Sequence, residues 1–265
     1  MSIPCDAWRP NLSHSRALGL SLAAWLCCGA ALGCSDESYR LGGSTLAEAT
    51  ATATPRFGSC KDGAELESID RMEDRDGTIE LQAQRGGVWF SFNDKTDGQQ
   101  SPAADDEVFA MSELSPPRAG SHYAARSHGG GFQKWGAGIG FELYNQKAYD
   151  LSSYAGIVFW ARRAADAAAT LRFALTDAAT APRGGQCHDY ADYSSCSDYF
   201  GSDLSLTTDF RRYSFSWSDL TQEGWGDPQP ASVDTHHVYG VRFQAGPRVD
   251  FDFWIDDIAL LCRPE

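Results

Sequence analysis

Val249-Asp-Phe-Asp-Phe-Trp-Ile-Asp-Asp-Ile-Ala-Leu-Leu-Cys262 decides the fold. Val249, Phe251, Phe253 and Ile255 stand at every second position, with Asp250, Asp252, Trp254 and Asp256 between them. A period of two is that of a strand with one buried face. After Ile255 the apolar positions change phase, to Ile258, Leu260 and Cys262. The slip falls at Asp256-Asp257, and one extra residue in a strand is what a β-bulge supplies. Two adjacent carboxylates need a positive partner. Ca²⁺ meets that need because it takes several oxygen ligands, carboxylates included. Far upstream, Ile69-Asp-Arg-Met-Glu-Asp-Arg-Asp-Gly77 supplies Asp70, Glu73, Asp74 and Asp76. First and last strands of a sandwich can be neighbours, so these groups can converge.

The same alternation recurs along the chain. Ile139, Phe141 and Leu143 oppose Gly140, Glu142 and Tyr144. Ile157, Phe159 and Ala161 oppose Val158, Trp160 and Arg162. Leu171, Phe173 and Leu175 oppose Arg172, Ala174 and Thr176. Tyr213, Phe215 and Trp217 form another such row, as do Tyr239, Val241 and Phe243, the latter opposed by Gly240, Arg242 and Gln244. Earlier strands are expected over Leu66–Met72, Val88–Phe92 and His122–Ala125. The one long helix-compatible stretch, Ala161–Ala169, is interrupted by strand neighbours. Alternating strands without helical crossovers predict an all-β chain, an antiparallel β-sandwich or jelly roll.

The chain has 265 residues, 42% hydrophobic and 12% aromatic, which excludes wholesale disorder. Its 36 acidic residues outnumber 22 basic ones, for a net charge of −14. Such a balance offers no footprint for nucleic acid, whose phosphates need Lys and Arg, and is repelled by an anionic membrane surface.

The start of the chain reads as an address. Arg9 and Arg16 precede the apolar run Ala17–Leu32, a basic then hydrophobic pattern typical of a secretory signal. The run is shorter than the ~20 residues of a spanning helix. Ala31-Leu-Gly-Cys-Ser35 resembles a bacterial lipobox, which makes Cys34 the expected lipidation site and a lipid anchor the only membrane contact. An ordinary signal peptide cleaved near Ala30 to Gly33 is the competing reading. Ser35, rather than Asp, after the cysteine implies the outer membrane or cell surface by the same resemblance. The expected organisation is a signal peptide over 1–33, a Ser/Thr/Ala-rich tether over 34–58, and a β-sandwich over 59–265.

Export places Cys60, Cys187, Cys196 and Cys262 in an oxidising compartment. Of three pairings, Cys187–Cys196 and Cys60–Cys262 is the natural one: the first closes a polar, tyrosine-rich loop and the second joins the two ends of the domain. Zinc is the competing use, but no CxxC or CxxH spacing is present.

Ile69-Asp-Arg-Met-Glu-Asp74, Gly224-Trp-Gly226 and Phe253-Trp-Ile-Asp-Asp-Ile258, in that order, resemble carbohydrate-binding modules of the family 11 type, within the galactose-binding-like jelly rolls. Trp89-Phe-Ser-Phe-Asn-Asp94, Gly131–Phe141 and Tyr154-Ala-Gly-Ile-Val-Phe-Trp160 fit the same frame, which also resembles lipoproteins of myxobacterial type. The resemblance implies a structural Ca²⁺ held by Glu73 with Asp256 or Asp257. It also implies a polysaccharide or other glycan as partner, bound on a concave sheet face by stacked aromatics and polar groups. Outward positions nominate Tyr144, Trp160, Arg172, Arg242, Gln244 and Trp254. Trp135, Trp225, Tyr190, Tyr193 and Tyr199 lie in loops able to rim a cleft. Which sheet carries the concave face is open.

Catalysis finds no motif: no GxSxG elbow, no HExxH, no P-loop. His236-His237, adjacent on a strand, would face opposite ways. The reading is therefore non-catalytic glycan binding by an exported, lipid-anchored module. The alternatives are a structural or protein-interaction lipoprotein without a sugar site, and a glycoside hydrolase working through a pair of the many carboxylates.

Overall fold

The computed structural model describes Cys60 and residues 63–104, 108–190 and 193–263, all within the unit Thr52–Glu265. Cys34, the signal segment and the tether lie outside the described residues. Among the described residues fourteen strands follow one another: β1 (Leu66–Asp70), β2 (Trp89–Asn93), β3 (Gln99–Ser101), β4 (Ser112–Arg118), β5 (Ser121–Gly130), β6 (Ala137–Glu142), β7 (Tyr154–Arg163), β8 (Thr170–Asp177), β9 (Asp189–Tyr190), β10 (Tyr193–Ser194), β11 (Phe200–Ser205), β12 (Arg211–Ser216), β13 (Val238–Ala245) and β14 (Phe251–Cys262). Helix, among the described residues, is confined to two short 3₁₀ turns.

Twelve of them make two antiparallel sheets, and β9 and β10 pair with each other as a separate two-stranded ribbon. One sheet has seven strands, in the order β12-β7-β14-β5-β3, with β1 added on β14 and β4 on β5; the other has five, β11-β8-β13-β6-β2. They pack face to face through the apolar rows read from the sequence. Phe159 of the first sheet meets Phe173 and Phe243 of the second, with ring centroids 5.2 and 5.0 Å apart. Phe215 completes the cluster against Phe173 at 5.3 Å. Rings at these separations add to what their area burial already contributes.

The phase slip in the last strand is a bulge. β14 pairs with β7 up to Asp256 and resumes at Ala259, and Asp257 takes a φ of 45°. The inward row changes accordingly, from Phe251, Phe253 and Ile255 to Ile258 and Leu260, all buried. β1 and β14 are neighbours, and the Cys60–Cys262 disulfide ties the chain beside them across 202 residues. The second bridge is Cys187–Cys196.

Several details depart from the alternation. β4 contains Pro116 and Pro117, which have no N–H to give. It pairs with β5 at Ser112, Glu113 and Arg118, with a register shift between. His236 and His237 lie in the turn before β13, not on a strand; each exposed ring faces a different acid, Asp150 at 3.4 Å and Asp234 at 2.8 Å. A register shift between Val238 and Gly240 places Tyr239 outside its expected row, beneath Arg183. The stretch after Arg163 forms no helix; Ala164 and Ala168 donate N–H groups to Asp252 and Asp250.

A cleft on the five-stranded sheet

On the outer face of the five-stranded sheet the register lines up two rows. In one, Phe90, Gly140, Arg242, Ala174 and Gly201 stand side by side across β2, β6, β13, β8 and β11. In the other, Phe92, Gly138, Gln244, Arg172 and Asp203 do so. Glycine at 138 and 140 is required. A Cβ there would sit 2.0 Å from the Phe243 carbonyl oxygen and 2.4 Å from that of Val241. Without side chains on β6, the long groups of β13 can spread over it. The Arg242 guanidinium lies 4.7 Å from the Phe92 ring, 5.3 Å from Phe90 and 5.0 Å from Tyr199. Gln244 Nε2 donates to the Trp135 carbonyl at 2.8 Å. Arg172 is pinned by the carbonyl of Thr221 at 3.0 Å and reaches Asp203 at 3.4 Å.

Loops wall this floor into a cleft of about 560 Å³, lined by Phe92, Trp135, Arg172, Tyr199, Glu223, Trp225, Arg242 and Gln244 among others. It continues past Arg172 and Gln244 toward Asp203, Pro247 and Val249. Two aspartates hold the walls. Asp94 Oδ2 accepts the main-chain N–H groups of Lys134, Trp135 and Gly136 at 2.7–3.0 Å. Asp198 accepts those of Glu223, Gly224, Trp225 and Gly226 at 2.8–2.9 Å. Hydrogen bonds from Thr96 and these N–H groups outweigh burial and hold the Asp94 carboxyl far below the usual carboxylate range. Each cradle fixes the backbone of a tryptophan whose ring stays accessible: Trp135 is 42% and Trp225 54% exposed. The Cys187–Cys196 hairpin closes the third side, its Ser195 exchanging hydrogen bonds with Asp227.

Of the residues nominated from sequence, Arg172, Arg242 and Gln244 meet in this cleft, joined by the loop residues Trp135, Tyr199 and Trp225. Trp160 and Trp254 lie on the other sheet, on the outward side of β7 and β14. Arg118 covers Trp160 at 4.7 Å; Arg162 and Arg126 sandwich Trp254 at 3.9 and 4.5 Å, and Trp254 is 7% exposed. Tyr144 lies beyond β6 with Lys147 over its ring. Tyr190 stacks on His188 of the disulfide hairpin and is outside the cleft lining; the side chain of Tyr193 lies outside the described residues. Sequence reading passed over Phe90, Phe92 and Glu223 as site residues. The signal for the first two was the alternate-glycine run Gly136-Ala-Gly-Ile-Gly140, whose bare outer face must be filled from the neighbouring strand.

The acid cluster at the bulge has its own cation. Arg118 Nε donates to Asp256 Oδ2 at 3.0 Å, and its Nη2 bonds Asp257. Glu73 does converge on Asp256: both carboxylates approach the Ser121 hydroxyl, at 3.4 and 2.8 Å. Glu73 Oε1 is taken by the N–H groups of His122 and Tyr123. A guanidinium bonded to both aspartates supplies the positive charge that adjacent carboxylates need. Asp256 Oδ1 is buried without a hydrogen-bond partner, so Arg118 answers the charge of the cluster but not all of its oxygens.

No protein-family model matches the chain, and no curated protein matches it in sequence. Solved structures do match. The solution structure of CtCBM11 superimposes with a TM-score of 0.50 at 13% identity, over 78% of this chain and 100% of that one. The family 11 carbohydrate-binding module of the cellulosomal cellulase Lic26A-Cel5E of Clostridium thermocellum gives 0.48 at 12% identity, over 76% and 96%. A Clostridium thermocellum family 11 module in complex with a β-1,3-1,4-mixed-linked tetrasaccharide gives 0.47 at 14%, over 67% and 90%. The chain shares the β-sandwich jelly-roll fold of CtCBM11.

Proposed function

We propose that the protein binds glycan without cleaving it, and that the cleft on the five-stranded sheet is where a polysaccharide chain lies. One observation carries this reading: two accessible tryptophans, each locked by its backbone to an aspartate, face a floor of Arg172, Arg242 and Gln244. Sugar rings present apolar C–H faces and a rim of hydroxyls, so rigid aromatic walls over planar polar groups suit them. The likeness in fold to carbohydrate-binding modules supports the same class of ligand. The cleft reading uses Arg172, Arg242 and Gln244 and leaves Tyr144, Trp160 and Trp254 to other roles.

Export and a lipid anchor at Cys34 belong to the same proposal, supported by the basic and apolar leader and by two disulfides, which suit an oxidising compartment. Retention on a glycan array, read together with a reducing-sugar assay, tests the function. Bound glycan without released sugar is the expected result. Released sugar would make the protein a hydrolase, and failure to retain any glycan would end the binding reading.

A further inference from the structure

Arg242 sits at the centre of the cleft floor, and no anionic group among the described residues answers it. Its row neighbours, Gly140 and Ala174, are too small to reach it. Its guanidinium faces the rings of Phe90, Phe92 and Tyr199. Its Nε is buried and has no acceptor, and among the described residues the side chain has no hydrogen bond or ion pair. The acids nearby are directed elsewhere: Asp203 toward Arg172 at 3.4 Å, and Glu223 to the indole N–H of Trp225 at 3.2 Å. In a chain with 36 acidic residues against 22 basic ones, the cleft floor holds an arginine that no acid among the described residues reaches.

Arg242 is half-buried and its Nε is cut off from solvent, so an ionic partner in the cleft would recover hydrogen bonding and charge pairing that it now lacks. The hydroxyls of a neutral sugar can take its hydrogen bonds but leave its charge unanswered. A carboxylate or sulfate ester does both, and guanidinium is the side chain whose planar fork matches such an oxyanion through two hydrogen bonds. Resting on the glycan-binding reading above, the geometry points to an acidic glycan as the ligand: a polysaccharide bearing an oxyanion, uronate or sulfate, that pairs with Arg242 while neighbouring rings stack on Trp135 and Trp225. The net charge of −14 opposes this only at long range. At physiological salt that field is screened over about 8 Å, and the contact pair decides.

Calorimetric titration of the full chain with three probes tests the assignment: a galacturonate hexamer, a sulfated galactan oligomer, and a neutral β-1,3-1,4-linked glucan tetramer. At least one acidic probe should bind about tenfold or more tighter than the neutral one, and the one that does identifies the oxyanion. Added salt should shrink the difference. Arg242→Gln should abolish the preference, whereas Arg126→Gln, on the other sheet, should keep it. Neutral glucan bound as tightly as either acidic probe, or a preference that survives added salt and Arg242→Gln, overturns the assignment while leaving the glycan reading in place. No binding of any probe overturns both.

Discussion

Trp225 hangs from Asp198 by a 2.9 Å hydrogen bond, its main-chain N–H donating to Oδ2. The same carboxylate takes three further N–H groups of that turn, so one side chain sets the position of a cleft wall. Asp198→Ala strands these donors, each worth about 1 kcal/mol when paired. The expected outcome is a tenfold or greater loss of glycan affinity together with a Tm lowered by several degrees. Calorimetry and thermal melting measure the two; a lowered Tm with unchanged affinity would detach the turn from binding.

The two faces of the sandwich should respond differently to loss of tryptophan. Trp135→Ala and Trp225→Ala remove accessible rings and should weaken glycan binding about 5–20-fold with little change in Tm. That corresponds to roughly 1–2 kcal/mol, near what a specific aromatic contact adds. Trp254→Ala empties a buried site between two arginines and should cost about 3–5 kcal/mol of stability, read in urea unfolding, with affinity retained.

Asp70 makes stability depend on pH. It is fully buried, and burial pushes its carboxyl up to about 7 despite hydrogen bonds from the Trp89 indole and the Met72 N–H. A raised folded-state value means that stability is fully present below about pH 4 and lost as pH rises through 7. This contribution should make the protein more stable at pH 5 than at pH 8, by about 2–3 kcal/mol. Asp70→Asn should flatten that slope in urea titrations at the two pH values.

The disulfides should differ in weight. In the chain-entropy model a bridge across 202 residues stabilises by about 5 kcal/mol and one across 9 by about 2.6. Cys60→Ser with Cys262→Ser should therefore lower Tm more than Cys187→Ser with Cys196→Ser. The second pair should cost more in glycan affinity, because its loop walls the cleft.

Arg118 supplies the positive charge that the Asp256-Asp257 bulge requires. Tm should not change when a chelator is added. Arg118→Met leaves Asp256, wholly buried, without its cation, and should destabilise by about 3–5 kcal/mol. A Tm that falls on chelation would restore calcium to the cluster.

Much of this was legible in the sequence. The apolar rows around Phe159, Phe173 and Phe243 gave the two layers, because period two leaves only one face to bury. The slip at Asp256-Asp257 located the bulge, and four cysteines at paired positions gave both bridges. The rest was hidden for physical reasons. β4 carries two prolines, and β11, Phe-Gly-Ser-Asp-Leu-Ser, has too few apolar residues to show a period. Asp94 and Asp198 read as ordinary turn acids until their N–H partners, about 25–40 residues away, are in view.

Alternation along each strand determined that this chain forms facing antiparallel sheets, since side chains at every second position must share one side. It could not determine which side of which sheet holds a ligand. Trp160, Trp254, Arg172 and Arg242 all point outward by the same rule. Only the order of strands decided between them: it set arginines over the tryptophans of β7 and β14, and set glycine and alanine beside Arg242. Whether an outward group is covered or open depends on its cross-strand neighbours, and these come from segments distant in the chain.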